Sequence, residues 1–192
     1  MLKVHLVVHF FSVCSKIIRE VFIMINVVLY EPEIPANTGN IMRTCVASNT
    51  KLHLIKPLGF SLEDKYVKRC GVNYIDKCDY EVYENIEDFF SKNNGTFYFL
   101  TRYGTKSHTS FDYSNKDENI YFFFGKESTG IPLHILKDHL DNCMRIPMTE
   151  NVRALNVSNS VAIMVYEALR QQNFNDLLTY EPHKDRDIIE KS

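Results

Sequence analysis

Several common signatures are missing from this 192-residue chain, and each absence removes a class of function. There is no C-x-x-C pair, and the five cysteines (Cys14, Cys45, Cys70, Cys78 and Cys143) are odd in number. With the histidines scattered, that argues against a zinc centre or a disulfide framework and for a reducing, cytoplasmic setting. Excess charge is missing too: 22 Lys and Arg face 24 Asp and Glu, for a net charge of −2 and a pI near 6.4. No global basic field therefore advertises nucleic acid, and a polyanion would need a local patch, completed in one reading by a second subunit. The chain has neither G-x-G-x-x-G nor a P-loop: Gly125 and Gly130 are five apart, but no Lys-Ser/Thr pair follows the second. Dinucleotide and nucleoside-triphosphate chemistry thus lose their usual support. Finally, no apolar run is long enough to span a membrane. Leu6 to Val13, interrupted by His9, resembles a signal peptide only in outline and lacks a small-x-small cleavage site. Residues 1–23 read as an extension ahead of a domain that starts near Met24, with a membrane-surface helix as the alternative.

What is present describes one ordinary globular domain, 45% hydrophobic and 24% charged. β-branched and aromatic runs at Ile25–Tyr30, Leu52–Ile55, Tyr80–Tyr83, Phe97–Leu100, Ile120–Phe124 and Met144–Ile146 predict strands. Helical spacing predicts helices from Asn37 or Thr38 to about Asn49, over 61–69, from Ile86 to Phe90, from Pro132 to about His139, and from Val157 to Gln171. Residues 105–119 read as polar loop, and the tail after Asn173 is polar. Strands alternating with helices predict an α/β fold, a mostly parallel sheet with helices on both faces, occupying residues 24–174 and followed by a polar tail at 175–192.

Three polar segments stand where an apolar run gives way to a helical pattern: Asn37–Arg43, Phe124–Gly130, and Ile146–Met148 with Arg153–Ser160. In open α/β sheets such junctions are where ligands bind. Gly125 after a buried strand would permit a positive φ and a close ligand approach. Glu127 would set a carboxylate at the same mouth, although a first-turn anion favoured by the helix dipole is the plainer account. Arg43 follows Asn37 by under two turns, so both could face one cleft, or Arg43 could be a solvated helix arginine. Asn156, flanked by Leu155 and Val157, is a polar residue in an apolar stretch, and burying its amide unpaired would cost ~1–3 kcal/mol. Loop backbone or a ligand would satisfy it. Lys65, Lys68 and Arg69 form the densest basic region, either a solvated helix face or a phosphate-contacting patch with Tyr66 and Tyr74 nearby. Cys45 and Cys143 sit in apolar patterns and read as core thiols.

Together these segments resemble the SPOUT superfamily of knotted methyltransferases, in particular its TrmL (YibK-like) tRNA ribose 2′-O-methyltransferases. The likeness runs from Met24 to Gln172 and rests on Ile25–Asn40, on Phe124-Gly-x-Glu-x-x-Gly-Ile-Pro132, on Ile146-Pro-Met148 and on Leu155–Ser160. It implies a C-terminal segment threaded as a trefoil knot, which chain physics alone would not predict. It also implies S-adenosylmethionine as methyl donor, contacted at Leu100, Thr101, Gly125, Ile146, Met148, Ala154, Leu155 and Ser160. A homodimer acting on the tRNA anticodon region, at the wobble nucleotide, is implied as well, with no metal and no membrane. Ala154 departs from the family's usual serine, so a hydroxyl contact would be lost there. Lys126 stands where proline is common. Arg43 is implied as the group that handles the 2′-hydroxyl, with Asn37, Glu127 and Asn156 orienting it and the ribose, and Arg153 joining the RNA contacts. An arginine pKa above ~12 makes oxyanion stabilisation or a phosphate clamp easier than deprotonation. A non-catalytic module that binds RNA or cofactor is the alternative. A Rossmann-type methyltransferase or oxidoreductase is disfavoured by the missing glycine-rich first turn.

Overall fold

The computed structural model describes residues 25–63, 67, 72–175 and 177–182. Residues 1–23, and with them the expected extension, lie outside the described residues, as do Lys65, Lys68 and Arg69.

Seven strands form one sheet: β1 (Ile25–Tyr30), β2 (Lys51–Ile55), β3 (Tyr80–Tyr83), β4 (Thr96–Leu100), β5 (Lys106–Ser107), β6 (Ile120–Phe124) and β7 (Cys143–Arg145). Their order is β3-β2-β1-β6-β4-β7-β5, and every pairing is parallel. A parallel sheet covered on both faces needs apolar side chains in both directions, which is why Ile120–Phe124 is unbroken by polar residues and wholly buried. Alternate residues of each strand serve opposite layers. Val27, Leu29, Phe122 and Phe124 pack with Ile41, Met42 and Cys45 of α1 (Pro35–Ser48) and with Val161, Met164 and Val165 of α4 (Val157–Gln171). Val28, Phe99 and Phe123 pack with Phe89 of α2 (Ile86–Lys92) and with Ile135 and Leu136 of α3 (Leu133–Lys137). Cys45 and Cys143 are buried in these two cores.

Three local expectations are corrected. Helix α1 begins at Pro35, before Asn37 and Thr38, and neither caps it: Ile34 occupies the N-cap position without a side-chain bond. Proline at the first helical turn starts a helix by itself, because its fixed φ suits the helix and its missing N–H would be unpaired there anyway. The 105–119 segment is more than loop. It contains β5, a 3₁₀ turn at His108–Ser110 and the fully buried Tyr113. Tyr113 N–H donates to Gln171 Oε1 at 2.7 Å, and Gln172 Nε2 donates to Tyr113 O at 2.8 Å, so this segment straps the end of α4. Helix α3 ends at Lys137, two residues short of the expected His139, and a 3₁₀ turn at Leu140–Asn142 leads into β7. After α4, Leu177 packs against the core.

The last strand, β7, lies between β4 and β5, which a five-residue bend joins. Leu100 and Lys106 both register with Met144, from opposite sides. Thr101 N–H donates to Met144 O at 2.9 Å. A Cβ on Gly104 would stand 2.6 Å from Met144 O and 2.7 Å from its Cα, so the bend passes directly over the strand. The C-terminal segment thus runs inside the bend of residues 100–107, the threading that the resemblance implies. Among the described residues no helix is long and apolar enough to cross a membrane.

Candidate active site

Because the strands are parallel, the ends of β4, β6 and β7 open on one edge, facing the N-termini of α1 and α4. A cleft of about 750 Å³ lies there, within the size range of small-molecule and cofactor sites. All eight expected cofactor contacts line it. Leu100 and Thr101 come from the end of β4, Gly125 from the end of β6, and Ile146 and Met148 from the segment after β7. Ala154, Leu155 and Ser160 come from the start of α4 and the turn before it. Ile146 and Ser160 are buried floor residues, whereas Ala154 and Leu155 stay exposed at the rim. This lining suits a flat purine nucleoside with a charged tail: apolar Leu100, Ile146 and Leu155 for the ring, polar Thr101 and Ser160 beside them. The residues present therefore fit S-adenosylmethionine.

Asn37, Glu127 and Asn156 line the same cleft and are joined to one another. Asn156 Nδ2 donates to Asn37 Oδ1 at 3.0 Å, and Asn37 Nδ2 donates to Glu127 Oε1 at 2.9 Å. The carboxylate of Glu127 also accepts from the backbone of Glu33 at 2.9 Å and of Ile34 at 3.3 Å. It thereby satisfies two N–H groups at the entry to α1, a capping task carried by a residue more than 90 positions away. Asn156 caps α4 in turn, its Oδ1 accepting from Ser158 N–H at 2.9 Å and from the Ser158 hydroxyl at 2.6 Å. Of the two ways the Asn156 amide could be satisfied, loop backbone or a ligand, the structure shows backbone N–H groups on its Oδ1. Asn156 is exposed, and helix capping holds its amide. The first half of the sequence and the two loop motifs are thus tied by a relay of three side chains.

Two further ties close the loop after β6. The Glu33 carboxylate accepts from Ser128 N–H at 2.9 Å and from its hydroxyl at 2.8 Å, and those bonds hold its pKa below the usual carboxylate value. Lys126 pairs with Glu31, which lifts the lysine pKa above its ordinary value. Gly125 is required for a reason other than the one expected. Its φ is not left-handed; Gly130 has φ 76°. A Cβ at position 125 would collide with the returning backbone of Gly130, whose carbonyl oxygen would lie 2.6 Å away. The space beside Gly125 is filled by the loop itself.

Arg43 is the clear departure. It is exposed, is not part of the cleft wall, and its guanidinium lies 5.5 Å over the Tyr74 ring. Six residues of α-helix turn the chain by about 600°, so Arg43 points some 120° away from Asn37. Counting turns gave the right distance along the axis and the wrong face around it.

Among the cleft-wall residues to which the sequence reading gave no role are Arg102, Tyr103 and Arg145, beside the expected Arg153. Their signal was available: Arg102 and Tyr103 directly follow a predicted strand end, where open α/β sheets bind ligands.

The family model described as the SpoU rRNA methylase family matches residues 24–166. A relative from Geobacillus stearothermophilus is 54% identical over 154 residues, 80% of this chain and 98% of its own length. The tRNA (cytidine(34)-2′-O)-methyltransferase of Methylovorus glucosotrophus is 44% identical over 153 residues, 79% of this chain and 97% of that one. A solved structure concerned with 2-OH methylation of C/U34 on tRNA superposes with a TM-score of 0.73 at 34% identity, covering 79% of this chain and 98% of its own. With its parallel sheet, its threaded last strand and its cleft built from the three motif segments, the chain belongs to the SpoU methylase family of SPOUT methyltransferases, on its TrmL-like branch.

Proposed function

We propose that this protein is a tRNA (cytidine(34)-2′-O)-methyltransferase, moving a methyl group from S-adenosylmethionine to the ribose 2′-oxygen of the wobble nucleotide. The observation that carries this reading is the Asn156–Asn37–Glu127 relay at the wall of a cofactor-sized cleft. S-adenosylmethionine, when bound, supplies a methyl group already activated by its sulfonium charge. The protein's task is then placement, and orientation of reacting atoms is worth ~7–11 kcal/mol at best. Asn37 and Asn156 present amide groups at the cleft whose geometry is fixed by each other and by two helix N-termini. Glu127 is engaged by three donors, so it positions Asn37 and the start of α1 and is not a proton carrier.

Arg43 does not reach the cleft of its own chain, so in this reading it acts in the cleft of a second copy, stabilising the developing oxyanion or clamping the adjacent phosphate. A homodimer belongs to the same reading, with Tyr166 of α4, 44% exposed, as an apolar residue open to a partner. Arg153 at the rim contacts RNA, as do Lys65, Lys68 and Arg69 in the same reading. The test is incubation with labelled S-adenosylmethionine and total tRNA, followed by mapping of the modified nucleotide. Label on the ribose of nucleotide 34 is the expected result. Cofactor binding without transfer to any tRNA would instead establish a binding module. Arg43→Ala should abolish transfer and leave cofactor binding intact. Mixing it with a cofactor-binding variant such as Gly125→Val should restore part of the activity if Arg43 serves the partner's cleft.

A further inference from the structure

We propose that Tyr103 is a stacking platform for a nucleobase of the anticodon loop, with Arg102, Arg145 and Arg153 receiving the phosphates on either side of that base. The inference rests on the reading of the chain as a tRNA ribose methyltransferase and adds to it the way the substrate is seated. Tyr103 forms part of the cleft wall, yet it is 55% exposed, the most exposed aromatic side chain of the described residues. An exposed ring at the mouth of a cleft contributes little to folding. It offers an apolar face where a base must arrive if its ribose is to enter.

The ring is held ready for this role. Tyr103 N–H donates to Thr101 Oγ1 at 3.3 Å, and Gly104 N–H donates to Thr101 O at 3.2 Å. Thr101 N–H is bound to Met144 O, and Gly104 crosses Met144 at a distance that admits no side chain. The tyrosine therefore rides on the bend that encloses β7. Arg102 lies beside the ring: its Nη2 donates to the Tyr103 hydroxyl at 2.5 Å, with the guanidinium 4.7 Å from the ring centroid. Base-on-aromatic stacking tolerates any base, so it suits a position occupied by different nucleotides in different tRNAs.

The charge around the ring matches a polyanion. Arg102, Arg145 and Arg153 all line the cleft, and none takes part in the ion pairs found among the described residues. This is the local basic patch that a chain of net charge −2 needs in order to hold RNA.

The chain contains no tryptophan, so Tyr103→Trp introduces a single indole at the proposed stacking position. Titration of that variant with an anticodon stem-loop RNA should quench its fluorescence. An abasic nucleotide at one of the positions 33, 34 or 35 should remove most of the quench and identify the stacked base. In methyl transfer, Tyr103→Ala should raise KM for the RNA by roughly tenfold, Tyr103→Phe should restore it, and both should bind S-adenosylmethionine as the unaltered protein does. Arg145→Ala should weaken RNA binding and reduce its salt dependence. Fluorescence indifferent to every abasic substitution, with the RNA still bound and methylated, would overturn the proposal and leave the enzymatic reading standing. An unaltered protein that neither binds nor methylates the RNA would remove both.

Discussion

At the scale of single residues, a buried histidine outside the cleft wall ties stability to pH. His53 is buried in the sheet, and its Nε2 lies 3.0 Å from Asn26 Oδ1 while its Nδ1 lies 2.8 Å from the Tyr83 hydroxyl. Asn26 Nδ2 donates to Ile120 O, which fixes the amide orientation and makes Oδ1 an acceptor. Nε2 therefore carries the proton donated to Asn26 Oδ1, and in the neutral ring Nδ1 accepts from the Tyr83 hydroxyl. Burial pushes the His53 pKa down to about 3. A histidine whose folded pKa lies below its unfolded value of about 6.5 stabilises the fold fully above that value and loses the contribution as pH falls toward 3. Thermal denaturation followed from pH 7 to pH 4 should show stability falling through this window. His53→Gln should flatten that slope while lowering stability at neutral pH; an unchanged slope would assign the acid sensitivity elsewhere. Glu167, held down to about 2 by Arg170 and Gln171, adds its loss only below about pH 4.5. Asn37→Ala would leave Glu127 and Asn156 each short of a partner and should cost about 1–2 kcal/mol in denaturant unfolding, together with most of the methyl-transfer rate. Asn37→Ala with full activity would show the relay to be structural only.

At the scale of elements, local signals and long-range ones separate cleanly. Helix α4 runs from Val157 to Gln171 as its apolar spacing predicts, because the Asn156 cap that starts it is adjacent in sequence. Asn156→Ala removes that cap and should cost about 1 kcal/mol in stability, with a larger effect on activity because Asn37 loses its partner too. Helix α1 ends at Asn49 in the left-handed region, φ 52° and ψ 44°. Asn49→Gly should be tolerated, while Asn49→Val should cost about 1 kcal/mol or more in the same unfolding assay. The strap at 105–119 was illegible as structure because its order comes from elsewhere. Tyr113 is buried by being tied to Gln171, Gln172 and the carbonyl of His108, bonds that span up to 59 residues. Arg43 was misplaced for a different, purely local reason: the six residues that set it less than two turns from Asn37 along the axis also set it about 120° away around the helix.

At the scale of the whole molecule, the crossing at Gly104 links stability to function. Gly104→Ala would force the bend away from Met144, and overpacking of this kind costs about 1–3 kcal/mol. The same displacement moves Thr101, an expected cofactor contact in the cleft wall, so calorimetry should show weakened S-adenosylmethionine binding along with the lowered melting temperature. Loss of stability with unaltered cofactor affinity would mean that the bend and the cleft are mechanically independent. Taken by itself, the sequence determined the alternation of strands and helices and the three polar segments at strand ends, since these are patterns of neighbours a few residues apart. Only the tertiary structure decided the strand order, the passage of β7 inside the bend and the employment of Glu127 as a cap. Each of those depends on hydrogen bonds and packing between segments tens to more than a hundred residues apart, and no local periodicity encodes which distant partner a side chain will meet.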